Sequence, residues 1–460
     1  MEPTFTASIN RIKVARCFLA ALFAVNLYRA MTQSVTPGEA WNYNRFIGPP
    51  WTEALASFDV NNHVLNTLLV RISTSGFHLT ELSLRLPSLL AGVFYLGVVF
   101  RMARRWFGDS LVFLAVIGLL TLNPLVVDAL SEARGYGMAL AAWMWALQLI
   151  LESVQSFSLQ KLNLAAICLG LSVAATLAFA APAVGLLVVL LLWSRSSGGA
   201  GASACQPGAL AFIVFLTTFV LLAIPINHAE WKTLAVGATS LRQTVNEISA
   251  LSLGTSLKVL AATARVALAL AALAGVFASV RYWRRRDGAL AALTGATLAL
   301  TLLLLIAAHR YLHAPFPQGG AIYLIPLTVL PVTAEIFKRH NNATQIAFLC
   351  LSAVLLGRYI SEFPFGMYAA GSQFAGARTL AKTLREKAGR TSVRIGASLA
   401  AEPIVNYYRA RYRQPNWQPT ARQPLTGAYD FYVLTPADAA LIEQRHLHVI
   451  YRDTGLTLAQ

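Results

Sequence analysis

Apolar runs of about 20 residues, the length needed to cross the hydrocarbon of a bilayer, recur through the first three quarters of this 460-residue chain. They constrain the fold more than any other feature, because a backbone inside lipid must satisfy its own polar groups and so must be helical or a closed barrel. Only 12% of the residues are charged and 56% are hydrophobic, against roughly 25% charged in a soluble domain. An integral membrane protein of the helical polytopic class is expected. About eleven spans are predicted, at 12–30, 86–102, 110–128, 136–152, 162–178, 180–194, 208–226, 257–280, 288–308, 319–337 and 343–360. The stretch 162–194 is divided at Ala180-Ala181-Pro182.

Short cytoplasmic loops are enriched in Lys and Arg. Under this count Arg11/Lys13/Arg16, Arg101/Arg104/Arg105, Arg281/Arg284/Arg285/Arg286 and Lys338/Arg339 share one side. That places the protein in the cytoplasmic membrane with its N-terminus inside and its last hundred residues outside. The first span follows basic residues as a signal peptide does, but no small-residue cleavage site follows it, and a retained signal anchor is the reading. Cys17, Cys168 and Cys350 fall in spans and Cys205 in the 194–207 loop. No structural disulfide is therefore expected outside. The Asn342-Ala343-Thr344 sequon falls on the cytoplasmic side and is read as chance.

The module 1–360 has one long outside segment, 31–85, in which Val64, Leu65, Leu68, Leu69 and Ile72 share a helical face. An amphipathic helix on the membrane surface is predicted there. Residues 361–460 are far more polar. The helix-like spacing of Phe374, Ala377, Ala381, Leu384 and Ala388, a helix near 401–413, and strands at 392–396, 429–434 and 448–452 predict a small α/β domain on the outer face. The net charge of +17 suits anionic lipid or lipid-linked phosphate, or is simply a solvated basic face. Nucleic acid is not an expected partner outside the membrane. No Gly-rich phosphate loop or metal signature occurs.

Charges at the predicted outer face mark the candidate site: Glu39 after the first span, Glu132 and Arg134 after the third, and His309-Arg310-Tyr311 after the ninth. Ionisable groups beside a bilayer are costly unless paired, solvated or functional. Glu39 can equally cap a helix or pair with Arg45. Glu132 and Arg134 can form an anchoring ion pair, and His63 can simply begin the surface helix with Asn61 or Asn62 as its cap. His309 and Arg310 can snorkel at a helix end, with Tyr311 in an aromatic belt.

Five elements in order carry a family resemblance: Gly38-Glu39-Ala40, Asn61-Asn62-His63-Val64-Leu65, Leu84-Arg85-Leu86-Pro87-Ser88, Ala103-Arg104-Arg105-Trp106-Phe107-Gly108 and Glu132-Ala133-Arg134-Gly135-Tyr136. Together they resemble the GT-C superfamily of lipid-linked-sugar glycosyltransferases over about the first 150 residues. The nearest branch includes protein mannosyltransferase-like and lipopolysaccharide-sugar transferase-like enzymes. Arg310-Tyr311 is similar to a late "RY" loop of many members. The family usually carries Asp-Glu where this chain has Gly38-Glu39, so one carboxylate is absent.

The resemblance implies a GT-C-like fold and transfer of a sugar from a polyprenyl-phosphate donor to a glycan, lipid or protein acceptor outside the membrane, with inversion. Glu39 would be the general base. Arg134, Arg310, His63 and Tyr311 would hold the donor phosphate, supported by Glu132, Tyr136, His309 and Asn62. A lone carboxylate is a poor oxygen cage, so neither metal nor other cofactor is expected. The C-terminal domain would cover the site or select the acceptor. Two further readings stand beside this one: a transporter or flippase of a lipid-linked or anionic solute, which would place its charges near mid-membrane and within repeats, and an inactive relative that binds lipid phosphate.

Overall fold

In a computed structural model, residues 4–55, 62–196, 206–227, 237–254, 258–282, 288–339, 341–363 and 365–460 are described. Asn61, Cys205 and Arg284–Arg286 lie outside them. The membrane module comprises α1 (Thr4–Thr32), α2 (Pro37–Asn42), α3 (Trp51–Leu55), α4 (Val64–Phe77), α5 (Glu81–Phe107), α6 (Leu111–Thr121), α7 (Pro124–Ala129) and α8 (Tyr136–Gln155). It continues through α9 (Leu159–Ala175), α10 (Ala180–Ser196), α11 (Gln206–Asn227), α12 (Leu241–Leu253), α13 (Lys258–Tyr282), α14 (Ala289–Leu312), α15 (Leu324–Lys338) and α16 (Asn342–Ser361).

Every predicted span coincides with a helix, but the expected eleven crossings are not all matched by length. Among the described residues seven helices are long and apolar enough to cross a bilayer, and the apolar helices Leu111–Thr121, Leu159–Ala175 and Ala209–Ala223 are shorter. The predicted span 110–128 is broken because Pro124 cannot continue α6. Asn123 instead caps α7, its side chain accepting from the Leu125 amide at 3.0 Å. The break carries Asp128 away from the hydrocarbon run and into the site. The division of 162–194 falls at Thr176–Phe179, where Thr176 is extended and one 3-10 turn follows, four residues before the expected point.

The two ends of the 27-residue α5 are polar in different ways, about 40 Å apart at 1.5 Å per residue. At its C-terminal end Arg101 and Lys161 both pair with the buried Glu152, at 2.6 and 2.8 Å, and Arg11 donates to the Asp109 carbonyl at 2.6 Å. At its N-terminal end lie Arg85 and the candidate site. Between them the core is apolar and closely packed. Where α13 meets α14, a Cβ on Gly295 would lie 2.2 Å from the Gly275 Cα, so the backbones touch and no side chain fits.

The helix expected in the 31–85 segment is α4. Its polar residues Asn66, Thr67, Arg71 and Ser73 face the protein, while Leu69 and Ile72 are exposed. That inversion of the usual soluble pattern suits a helix whose outer face meets lipid. The expected Asn62 cap is not formed: His63 is the N-cap residue and no side chain caps the helix, while Asn62 Oδ1 accepts from the Thr67 hydroxyl at 3.1 Å.

The C-terminal region contains α17 (Ala377–Ala388), β1 (Ile395–Ala397), α18 (Glu402–Arg411), β2 (Phe431–Leu434), α19 (Ala440–Gln444), β3 (Val449–Arg452) and β4 (Thr457–Ala459). The sheet order is β1-β2-β4-β3, with β1 parallel to β2 and the other pairs antiparallel. The last strand was not expected from the sequence; only three residues long, it is stabilised by pairing on both sides. Ala377, Ala381, Leu384 and Ala388 bury one face of α17 as their spacing predicts, joined by Leu380, whereas Phe374 ends a separate 3-10 turn before the helix. This region shares a core with the segment after α1, where Val35, Ala40 and Leu84 pack with Ile404, Val405 and Tyr408, and Glu81 accepts from the Tyr408 hydroxyl at 3.2 Å and pairs with Arg411.

Candidate active site

The chain leaves α1 and enters α2 through a capping box. Thr36 accepts from the Glu39 amide at 3.2 Å, and the Glu39 carboxylate accepts from the Thr36 amide at 2.9 Å. The same carboxylate is fully buried and takes three further hydrogen bonds: Arg85 Nε to Oε1 at 2.8 Å, Arg85 Nη2 to Oε2 at 2.7 Å, and the Ala133 amide to Oε1 at 2.9 Å. A carboxylate offers about four acceptor positions, and here all four are filled. Burial alone would raise the Glu39 pKa. The Arg85 charge, its hydrogen bonds and the two backbone amides outweigh that and hold it below the usual carboxylate value.

Arg85 is equally committed. Its remaining donors reach the carbonyls of Ala30 at 3.2 Å, Gln33 at 2.8 Å and Ser34 at 2.8 Å, so all five N–H groups of the guanidinium are engaged. The Tyr368 ring lies 4.7 Å from its Cζ, and Arg29 sits 5.0 Å from the same ring. Arg29 pairs with Asp128, whose second oxygen accepts from the Ala369 amide at 2.8 Å. Asp128 and Tyr368 have no place in the sequence analysis, and Arg85 enters it only as part of the Leu84-Arg85-Leu86-Pro87-Ser88 element, without a role. The available signal was a charge within or at the end of an apolar run, since Arg85 stands inside Leu84-Arg85-Leu86-Pro87.

Beside this paired cluster is a cavity of about 240 Å³, lined by Asp128, Glu132, Arg134 and Tyr136 together with Glu247 and Gln318. Glu132 accepts from the Thr36 hydroxyl at 2.9 Å. Burial pushes its carboxyl up to about 7, opposed by the Arg134 charge and reinforced by Glu39 and Asp128. Arg134 is half-buried, with its Cζ 5.3 Å from the Tyr136 ring. Among the described residues no side-chain or carbonyl oxygen is hydrogen bonded to its guanidinium. A Cβ on Gly38 would lie 3.2 Å from Arg134 Nε and 3.3 Å from Cζ, so a side chain at position 38 would lie directly against this arginine.

The other candidates fall into two groups. His63 is buried against Tyr136, ring centroids 4.9 Å apart. Burial and the Arg134 charge depress its pKa to about 3. The neutral ring donates to the Ala175 carbonyl and leaves Nε2 unpartnered, so that nitrogen is an acceptor and offers a phosphate no positive charge. Arg310 and Tyr311 end α14 exposed to the surroundings and do not line the cavity. His309 Nδ1 lies 2.9 Å from the Ala314 carbonyl and its ring packs 4.5 Å from Phe316, supporting the strand-like segment that precedes Gln318. Of the predicted set, the structure therefore gathers Glu132, Arg134 and Tyr136 at one cavity; Glu39 and His63 touch the same turn through the Ala133 amide and the Tyr136 ring, and Asn62 does not line the cavity.

No family model and no curated protein sequence matches the chain. Among solved structures, it is similar to ArnT from Cupriavidus metallidurans bound to undecaprenyl phosphate, at 15% identity and a TM-score of 0.52, covering 96% of this chain and 97% of that one. The apo state of the same protein matches at 13% identity, a TM-score of 0.52 and the same coverage. A likeness that spans both the helical module and the small C-terminal sheet establishes the architecture: this chain is an integral membrane protein with the GT-C fold.

Proposed function

We propose that this protein transfers a sugar from a polyprenyl-phosphate donor to an acceptor hydroxyl outside the cytoplasmic membrane. The observation that carries the reading is Arg134, a guanidinium held at a cavity wall without a hydrogen-bonding partner among the described residues, beside a carboxyl whose pKa is near 7. Arginine presents a planar fork suited to two parallel hydrogen bonds with phosphate. The cavity is smaller than the roughly 300–1,000 Å³ of sites that enclose drug-sized ligands, and so suits a phosphosugar head whose polyprenyl tail stays in lipid. The similarly folded ArnT was solved with undecaprenyl phosphate bound.

In this reading the acceptor oxygen attacks the anomeric carbon as the bond from that carbon to the phosphate oxygen breaks. The phosphate leaves toward Arg134, and the proton lost by the acceptor goes to Glu132. Direct displacement inverts the anomeric centre. The base role implied for Glu39 passes to Glu132, because every acceptor position on Glu39 is occupied while Glu132 borders the cavity and has a pKa suited to accepting a proton near neutrality. Glu39 instead positions Ala133 and thereby the turn that bears Glu132 and Arg134.

The test is native mass spectrometry with undecaprenyl phosphate on the wild type beside Arg134→Ala. Retention of the lipid by the wild type and its loss in the variant are expected; equal retention in both would remove the phosphate role from Arg134. Transfer in the variant is expected to fall by about 10²–10³, the range for losing one donor to a developing negative charge. A second expectation concerns Gly38. An aspartate there would neutralise Arg134 from within the protein, so Gly38→Asp should weaken undecaprenyl phosphate binding by about tenfold or more without loss of folded protein. The neighbouring atoms belong to a flexible side chain. Unchanged lipid binding by a folded Gly38→Asp protein would show that Arg134 is not the phosphate contact.

A further inference from the structure

Part of the cavity that holds Arg134 is lined by chain far away in sequence, at Glu247 and Gln318. Ala238 and Phe316 form an isolated two-way bridge, amide to carbonyl at 2.8 and 2.9 Å. A Cβ on the adjacent Gly237 would lie 2.6 Å from the Phe316 carbonyl oxygen, so the two backbones approach as only glycine permits. This staple holds the start of α12 to the segment that presents Gln318.

On α12 a relay fixes one carboxylate. The Thr239 amide and hydroxyl both donate to Gln243 Oε1 at 3.1 Å, and Gln243 Nε2 donates to Glu247 Oε1 at 3.1 Å. Glu247 is thus held in one orientation at the cavity wall, with no cation paired to it and no hydrogen bond to Oε2 among the described residues. Gln318 exposes its side-chain amide to the same cavity. A half-buried glutamate on an amphipathic helix ordinarily keeps its rotamer freedom, which is costly to lose. Here that freedom is already lost before any ligand arrives.

We infer that Glu247 and Gln318 form the subsite that recognises the hydroxyl groups of the donor sugar, with Gln243 as a positioning residue. A carboxylate oxygen accepts from sugar O–H groups in charge-assisted hydrogen bonds, and an amide both donates and accepts. With the phosphate at Arg134, the attached sugar ring occupies the same cavity that Glu247 and Gln318 line. A site built to satisfy hydroxyls discriminates strongly against sugars that lack them, because its own polar groups are then left unpaired. The inference rests on the phosphate reading of Arg134 and assigns a separate part of the same cavity.

Undecaprenyl phosphate, bare and carrying a hexose, a pentose or an N-acetylhexosamine, would be titrated into detergent-solubilised wild type, Glu247→Ala and Gln243→Ala proteins and followed by native mass spectrometry. In the wild type at least one glycosylated lipid is expected to bind about tenfold or more tighter than the bare lipid, the size of hydrogen bonds to a charged group. Glu247→Ala should abolish that increment, and Gln243→Ala should reduce it, with bare-lipid affinity unchanged within about twofold. An increment that survives Glu247→Ala, or no increment for any sugar in the wild type, overturns the sugar subsite alone. Failure of the wild type to hold the bare lipid overturns the phosphate reading and the subsite with it.

Discussion

Glu39→Gln is expected to cost the protein about 3–5 kcal/mol of stability, the range for removing one partner of a buried ion pair, while leaving transfer per folded molecule within about tenfold of the wild type. The substitution strips the counter-charge from Arg85, which is fully buried and has no route to water. Thermal unfolding in detergent gives the first quantity, and activity of the monodisperse fraction gives the second. Arg85→Met should be similarly destabilising, because it strands the Glu39 carboxylate and the carbonyls of Ala30, Gln33 and Ser34. The double variant should lose less than the sum of the singles, by up to about 3 kcal/mol, the coupling typical of residues in one network. A folded Glu39→Gln protein that has lost transfer by more than about a hundredfold would return the base role to Glu39.

The pairing also explains why Glu39 was legible in the sequence and its role was not. An acidic residue after an apolar span announces itself in composition, and so does the Thr36-Pro37-Gly38-Glu39 capping pattern. What decides between base and structural anchor is the partner, and Arg85 is 46 residues away. The nearer Arg45, which the sequence offers as the local partner, is exposed instead. Span positions were read well because hydrophobic runs are local. The break at Pro124 is not visible in the hydrophobic pattern, and the one at Thr176 lies four residues before the expected point, because a run of apolar residues looks the same whether one helix or two traverse it.

The same limit governs the cavity. Glu132, Arg134 and Tyr136 lie within five residues and were legible as a cluster. Glu247 and Gln318 lie 71 residues apart in sequence, and the Ala238–Phe316 bridge helps bring their segments together. Arg310 and Tyr311 occupy the loop position the resemblance implies, yet their side chains are exposed at the end of α14. There the neighbouring His309 contributes through its contacts with Ala314 and Phe316. A motif of residue types marks a loop, and the direction of each side chain depends on the backbone after it.

Glu132→Gln is expected to lower transfer by about 10²–10⁴, the contribution of a general base, with undecaprenyl phosphate binding retained. The amide keeps the size of the side chain and can still accept from the Thr36 hydroxyl, so folding should be little changed. The pH dependence supplies a second signature. Only the ionised carboxylate can take a proton from the acceptor, and burial, opposed by Arg134 and reinforced by Glu39 and Asp128, sets its pKa at about 7. For the wild type, kcat/KM should therefore rise with pH through about 7 and level off above it. In Glu132→Gln that limb should vanish, leaving a low and flat residual rate over the same range. The electrostatic balance adds a direction: Arg134→Ala removes the positive charge that opposes the shift, so its residual activity should show the limb moved to higher pH. If the limb stays in place in both variants, the titrating base is another group, and Asp128, whose carboxyl is raised by burial, borders the same cavity.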